Sequence, residues 1–402
     1  MSKKKICFVI QRYGLEVNGG AEAYCRELAE KLLALYDVSV FTTRAIDYMT
    51  WCDEYPAGRQ ELNGVHVHRY PVEHPRRQAI FDELNGRFLK GALQGPQAEN
   101  GWFQEQGPYS PALLDALRRH HDDYDVFVMC TYLYYQTVYG TALVRDKAIL
   151  IPMTHDEPYL QFGRVKALFR QPRAFLYLTE EERDLVQRRM HTEKIPYAVG
   201  GAGVDLPADI SAARFRAKYG LGGTPYVIYV GRIDEGKGCD VMFRYWQAYR
   251  ESHPGPLKLV LMGKPVIPVP QRDDLLSLGF VSEQDKFDGM AGARFLLLPS
   301  RFESLSIVVL ESMLLGVPVL VNGACAVLRG HCRKSNAGLY YENYAQFAAA
   351  TDRLLGDETL YTALCANAPR YVQRDYRWDA ITKRFAGLVD LVTGTDEKGE
   401  AE

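Results

Sequence analysis

The sequence predicts an α/β protein built of two doubly wound, parallel-sheet domains, and three observations carry that expectation. Short apolar runs alternate with helix-period segments along nearly the whole chain. The alternation pauses once, in the glycine-bearing stretch PYAVGGAGVD (196–205), and then restarts. The length, 402 residues, exceeds the roughly 250–300 at which a single hydrophobic core stops growing.

The N-terminal half opens with KICFVIQ (5–11), a buried strand, and a loop through Asn18, Gly19 and Gly20. A helix follows over 21–35, with Ala21, Tyr24, Leu28, Leu32 and Leu35 at helical spacing. DVSVFTT (37–43), VHVHRY (65–70), DVFVMC (125–130), AILIPMTH (148–155) and AFLYLT (174–179) are the further strands. Thr179 to Glu182 has the form of a capping box, with Thr179 covering a free N–H and Glu182 reaching back. In the second half, strands are expected at 226–232, 257–263, 295–300 and 317–323. Apolar residues at 378, 381, 385, 388 and 392 predict a terminal amphipathic helix. The expected boundaries are 1–204 for the first domain, 205–375 for the second, 376–393 for a helix returning to the first, and 394–402 for a charged tail. Ligands of such sheets bind beyond the carboxyl ends of the strands, here expected to face a cleft between the domains.

Composition narrows the function. Lys plus Arg number 48 and Asp plus Glu 50, a formal charge of −2, which gives no general attraction for nucleic acid. No apolar run approaches the ~20 residues of a membrane span, and Gln11, Arg12 and Glu16 interrupt the first apolar segment before it could act as a signal-peptide core. The eight cysteines are scattered without a C-x-x-C pair, as suits a reducing compartment. A cytoplasmic α/β protein is the expectation.

Two segments carry chemistry. In PSRFESLSIVVLESMLLGVPVL (299–320), a strand stops at Pro299 and a loop presents Glu303. Ser304 or Ser306 is placed to cap a helix that Gly316 and Pro318 end. Glu303 and Glu311 then lie within about 12 Å of each other, with the free N–H groups of residues 304–306 between them as a seat for phosphate. The alternative is a solvated Glu311 and a Glu303 that merely favours the helix start. In YVGRIDEGKG (229–238), Arg232 and Lys237 follow a strand within a tight turn. Together they can neutralise a diphosphate without a metal, or else they are surface cations paired with Asp234 and Glu235.

Taken together, G-R-x4-K-G, P-S-x2-E-S-L-S and E-x7-E before a G-x-P-V strand resemble the family-4 glycosyltransferases of the GT-B fold, most strongly over 226–323. The resemblance implies two Rossmann-like domains and transfer of a sugar, with retention of configuration, from a nucleotide-diphosphate donor, UDP by preference. The acceptor implied is a saccharide or lipid-linked glycan, in surface polysaccharide or glycoconjugate assembly, with neither cofactor nor metal. It implies that Arg232 and Lys237, with Gly19, Gly20, Ser304, Leu305 and Ser306, hold the donor diphosphate. Glu311 would hold the ribose, Gly263 and Val281 would flank the nucleotide, and Glu303 and His155 would sit at the donor sugar. Many relatives have E-G-F-G where this chain has Glu303-Ser304-Leu305-Ser306, which narrows the pocket and leaves the sugar open.

Other signals lead elsewhere. Asp123-Tyr124-Asp125 precedes its strand, the wrong side for a metal-binding D-x-D. His66 with His68, and Cys325 with His331 and Cys332, match no common metal spacing. Without G-x-G-x-x-G, a dehydrogenase is disfavoured. A nucleotide-sugar epimerase and a non-catalytic glycan-binding protein stay open as alternatives. Residues 74–90 set Ile80, Phe81, Leu84 and Phe88 beside Arg76, Arg77, Arg87 and Lys90, and 163–173 is similar. Each is either a core-facing helix or a peripheral contact with anionic membrane.

Overall fold

The computed structural model describes residues 3–17 and 19–394. The charged-tail expectation lies outside the described residues from 395 onward. The described residues form two compact units, one running to Ala202 and resuming at Trp378, the other Gly203–Arg377.

The first unit is built on eight strands: β1 (Lys5–Val9), β2 (Asp37–Thr43), β3 (Gly58–Leu62), β4 (Val65–Tyr70), β5 (Val126–Cys130), β6 (Ala148–Ile151), β7 (Ala174–Tyr177) and β8 (Tyr197–Val199). Their order is β3-β4-β2-β1-β5-β6-β7-β8. The central strands read as unbroken apolar runs because both faces are covered, and Ile6 through Ile10 are fully buried. One correction concerns the edge: β3 runs antiparallel to β4. Asn63 and Gly64, both at positive φ, turn this hairpin, the role for which an Asn-Gly pair is suited.

The terminal helix Trp378–Thr393 buries Ile381, Phe385, Leu388 and Val389. Phe385 stacks on Phe8 of β1 with ring centroids 6.3 Å apart. At its carboxyl end the buried residue is Val389, whereas Val392 is only half-buried.

The second unit holds β9 (Tyr226–Val230), β10 (Lys258–Met262), β11 (Leu275–Ser277), β12 (Leu296–Leu298), β13 (Val319–Asn322) and β14 (Gly338–Tyr341). They lie in the order β11-β10-β9-β12-β13-β14, every pair parallel. Strands β11 and β14, three and four residues long, lack the long apolar run that revealed the others.

Among the described residues no helix is long and apolar enough to cross a membrane. Of the two cation-flanked segments, 163–173 opens with the short helix Gly163–Leu168, whose Val165 and Leu168 are buried with the neighbouring Phe169; that side meets the core. In the helix Gln78–Leu89, Phe81, Leu84 and Phe88 pack on the core and Ile80 is exposed. Two of its flanking cations are held by the protein itself. Arg76 lies 4.9 Å from the Phe81 ring and donates to the Gln106 carbonyl, and Arg77 pairs with Glu105.

Candidate active site

In the second unit the chain leaves β9 towards β10 on one side and later returns to β12 on the other. This reversal opens a crevice between the loops that follow β9 and β12, where ligands of open parallel sheets bind. Both loops carry residues singled out in the sequence.

Gly231 ends β9 and Gly263 ends β10, at φ 149° and 148°. The Gly231 N–H donates to Met262 and the Gly263 N–H to Gly279, at 2.9 and 2.7 Å. A Cβ on Gly263 would strike the carbonyl oxygen of Gly231, so a backbone-to-backbone contact requires this glycine. Farther along, Arg232 pairs with Asp234. The other Asp234 oxygen accepts the Lys237 N–H at 2.7 Å and closes the turn. Gly238, at φ 74°, lets the loop approach the carbonyl of Pro299, which a Cβ there would meet at 2.7 Å. The two loops are therefore in contact.

That contact brings the Lys237 ammonium to 2.7 Å from Glu303 Oε1. The surface-pairing alternative is half realised: Arg232 is on Asp234, while Lys237 meets Glu303 and not Glu235. Beyond Glu303, Ser304 and Leu305 lead to Ser306, which stands before the helix Ile307–Leu314 at φ 67°. The expectation of a serine cap is corrected at Ser306: its side chain makes no capping bond, because the left-handed backbone turns it from the cap geometry. Its hydroxyl is buried without a partner, beside the helix's first N–H groups. A buried, unsatisfied donor next to a positive helix end is suited to an anion. Gly316, at φ 75°, terminates the helix as expected.

Sequence reasoning considered His331 only as a metal ligand and missed its position in this unit. It is fully buried, with Nε2 2.7 Å from the Leu305 carbonyl and Nδ1 3.0 Å from the Tyr371 hydroxyl. Burial pushes its pKa down to about 4, so the ring is neutral near pH 7. The contact with a carbonyl assigns the proton to Nε2, and Nδ1 accepts from Tyr371. The residue passed over as a metal ligand thus braces the 304–306 loop. Among the described residues no group of three or more His, Cys, Asp or Glu is arranged to hold a metal.

Glu311, in the same helix, is buried, and burial raises its carboxyl above the ordinary value even though Lys286 pulls it down. The Lys286 ammonium lies 2.7 Å from Oε1. Lys286 too was missed. Its signal lay five residues past Val281, in a helix that Ser282 opens by accepting the Asp285 N–H at 3.0 Å. Val281 is half-buried in the preceding turn, next to a Phe280 that is 74% exposed.

The first unit has its own reversal, between β1 and β5. The helix Gly20–Leu32 starts there after Gly19. A Cβ on Gly20 would meet nothing within 4 Å, and one on Gly19 would meet the Glu22 carboxylate. Glu22 is buried and accepts from Gln11 at 3.0 Å and from Arg12 at 2.6 Å. His155 stands four residues past β6, with Nδ1 3.5 Å from Glu157. Thr179 caps its helix as expected, accepting the Glu182 N–H at 3.1 Å. Glu182 reaches back, but farther than a capping box requires, accepting the N–H of Leu178 at 2.7 Å and of Thr154 at 2.6 Å. It thereby anchors the residue preceding His155.

Residues 224–357 match the family "Glycosyl transferases group 1". The chain is 27% identical over 240 residues to the alpha-D-kanosaminyltransferase of Streptomyces kanamyceticus, a match spanning 54% of this chain and 60% of that protein. It is 24% identical to an uncharacterized glycosyltransferase of Methanocaldococcus jannaschii, over 96% of this chain and 98% of the other. Among solved structures, sucrose-phosphate synthase from Thermosynechococcus elongatus superposes with a TM-score of 0.72 at 18% identity, covering 98% of this chain and 100% of that one. HepE of Anabaena, in complex with UDP and glucose, gives 0.71 at 14%, covering 96% and 99%.

Proposed function

Because the chain belongs to the group 1 (family-4) glycosyltransferases of GT-B fold, we propose that it transfers a sugar, with retention of configuration, from a nucleotide-diphosphate donor, UDP by preference, to a saccharide or lipid-linked acceptor. One observation carries the reading: the 2.7 Å approach of Lys237 to Glu303, a cation and a carboxylate delivered by separate loops to one reversal point. A donor sugar diphosphate has matching halves, an anion for the cation and hydroxyls for the carboxylate.

In this reading the diphosphate takes Lys237 and Arg232 from their carboxylates and settles against the N–H groups and the Ser306 hydroxyl at the helix start. As the bond between the sugar's anomeric carbon and the phosphate oxygen breaks, negative charge collects on the β-phosphate, where those groups already stand. Preorganised charge of this kind is commonly the largest catalytic contribution. Glu303, released from Lys237, accepts hydrogen bonds from the sugar and favours its developing positive charge. The acceptor hydroxyl attacks from the face that the phosphate leaves, and its proton passes to the departing phosphate oxygen. Glu311 takes the ribose, and Gly263 and Val281 flank the nucleotide. Gly19, Gly20 and His155 lie in the first unit, past the carboxyl ends of strands of its sheet, the glycines after β1 and the histidine after β6.

Support for a UDP donor comes from HepE, whose structure is described with UDP and glucose. Calorimetry with UDP, followed by turnover of a panel of nucleotide sugars with product analysis, tests the proposal. Nucleotide binding and a glycosylated product are expected. Saccharide binding without nucleotide affinity, or isomerised donor formed without any acceptor, overturns it.

A further inference from the structure

We infer that Lys286 is a positioning residue for the nucleotide, holding Glu311 as an aimed carboxylate so that the site takes a ribose in preference to a deoxyribose. The inference rests on the reading of Glu311 as the ribose acceptor.

The geometry begins with where Glu311 lies. Its neighbours in the helix, Val309, Leu310 and Met313, are buried and apolar, and Glu311 itself is only 8% exposed. A carboxylate drawn from water into such surroundings takes up a proton unless a partner opposes this. Lys286 is that partner. It arrives from a different helix, Glu283–Ala291, with its ammonium 2.7 Å from Oε1 and 4.2 Å from the Phe287 ring centroid. Glu283, largely exposed, stands 3.5 Å from the same ammonium, so Lys286 is held between a solvated carboxylate and a buried one.

Stability alone is a poor reason for such a pair. A buried ion pair seldom outperforms apolar side chains of similar volume, and the helix face already supplies them. What the pair provides is an ionised carboxylate with acceptor capacity left over. One lone pair of Oε1 receives Lys286, and those of Oε2 stay available for two neighbouring hydroxyl donors. A ribose presents that hydroxyl pair and a 2′-deoxyribose does not. A site built to hydrogen-bond a hydroxyl discriminates strongly against the analogue lacking it.

The experiment is calorimetry on the full chain with UDP, GDP and their 2′-deoxy forms, for the wild type, Lys286→Leu, Lys286→Gln and Lys286→Arg, with folding followed by circular dichroism. The wild type is expected to prefer the ribonucleotide by about 10-fold or more. Lys286→Leu and Lys286→Gln should weaken the ribonucleotide by about 10-fold and leave the deoxy form within about 2-fold, so that the preference collapses. Lys286→Arg should restore most of it. In turnover the donor KM should rise while kcat at saturation stays within about 2-fold. Equal losses for ribo and deoxy ligands, or no loss, would overturn the inference while leaving the nucleotide reading intact. Absence of nucleotide binding in the wild type would remove both.

Discussion

The imidazole of His331 meets the carbonyl oxygen of Leu305 at 2.7 Å, and this contact ties the loop before the helix Ile307–Leu314 to the buried interior of its unit. Nε2 donates there, while Nδ1, kept neutral by burial, accepts from the Tyr371 hydroxyl. Because the native pKa is pushed down from 6.5 to about 4, the unfolded chain takes up a proton before the native protein does. His331 thus contributes stability above pH 6.5 that is lost as the pH falls towards 4. We expect His331→Gln to flatten roughly 3 kcal/mol of acid destabilisation over that window, read from urea midpoints at several pH values. An unchanged acid slope would show that His331 takes up its proton alike in the folded and unfolded chain, contrary to the assignment.

Glu182 has the opposite sign. Burial raises its carboxyl from 4.5 to about 7, so the native state keeps a proton that the unfolded chain loses. Stability is full below pH 4.5 and declines as the pH climbs to 7. Glu182→Gln should gain on the wild type by roughly 3 kcal/mol across that interval, against a constant penalty for one lost acceptor at Thr154 or Leu178. A pH-independent difference between the two proteins would contradict the assignment.

For the diphosphate, Arg232→Ala and Lys237→Ala are each expected to lower kcat/KM by about 100-fold or more. Near-native turnover in both would defeat the proposed leaving-group stabilisation.

Glu303→Ala should act mainly on kcat, with UDP affinity retained or improved, since Lys237 loses its carboxylate partner. If calorimetry instead showed a pure loss of nucleotide affinity, Glu303 would belong to the nucleotide and not to the sugar.

Ser306 separates backbone from hydroxyl. Ser306→Gly suits a φ of 67° and should preserve stability while weakening the donor by about 10-fold through loss of one hydrogen bond to phosphate. Ser306→Val, β-branched in a left-handed conformation, should lower stability by about 1–2 kcal/mol. Equal donor affinity for Ser306→Gly and the wild type would release the hydroxyl from the proposed role.

What the sequence determined by itself was the succession of strands and helices and the residues poised at their ends. Buried parallel strands are apolar throughout, and turns and caps bear a local signature in Gly, Pro, Ser and Thr. The short β8, β11 and β14 escaped because they are largely half-exposed and lack the all-apolar run that marks the equally short but fully buried β12, and the β3–β4 hairpin because its Asn-Gly signal flanks a largely polar edge strand. The tertiary structure alone decided the partners: Lys237 with Glu303, Lys286 with Glu311, His331 with Leu305. Each joins residues at least 25 positions apart, and the first depends on β12 returning to lie beside β9. No local period encodes which strand returns beside which, because that is settled by burying both faces of the whole sheet at once.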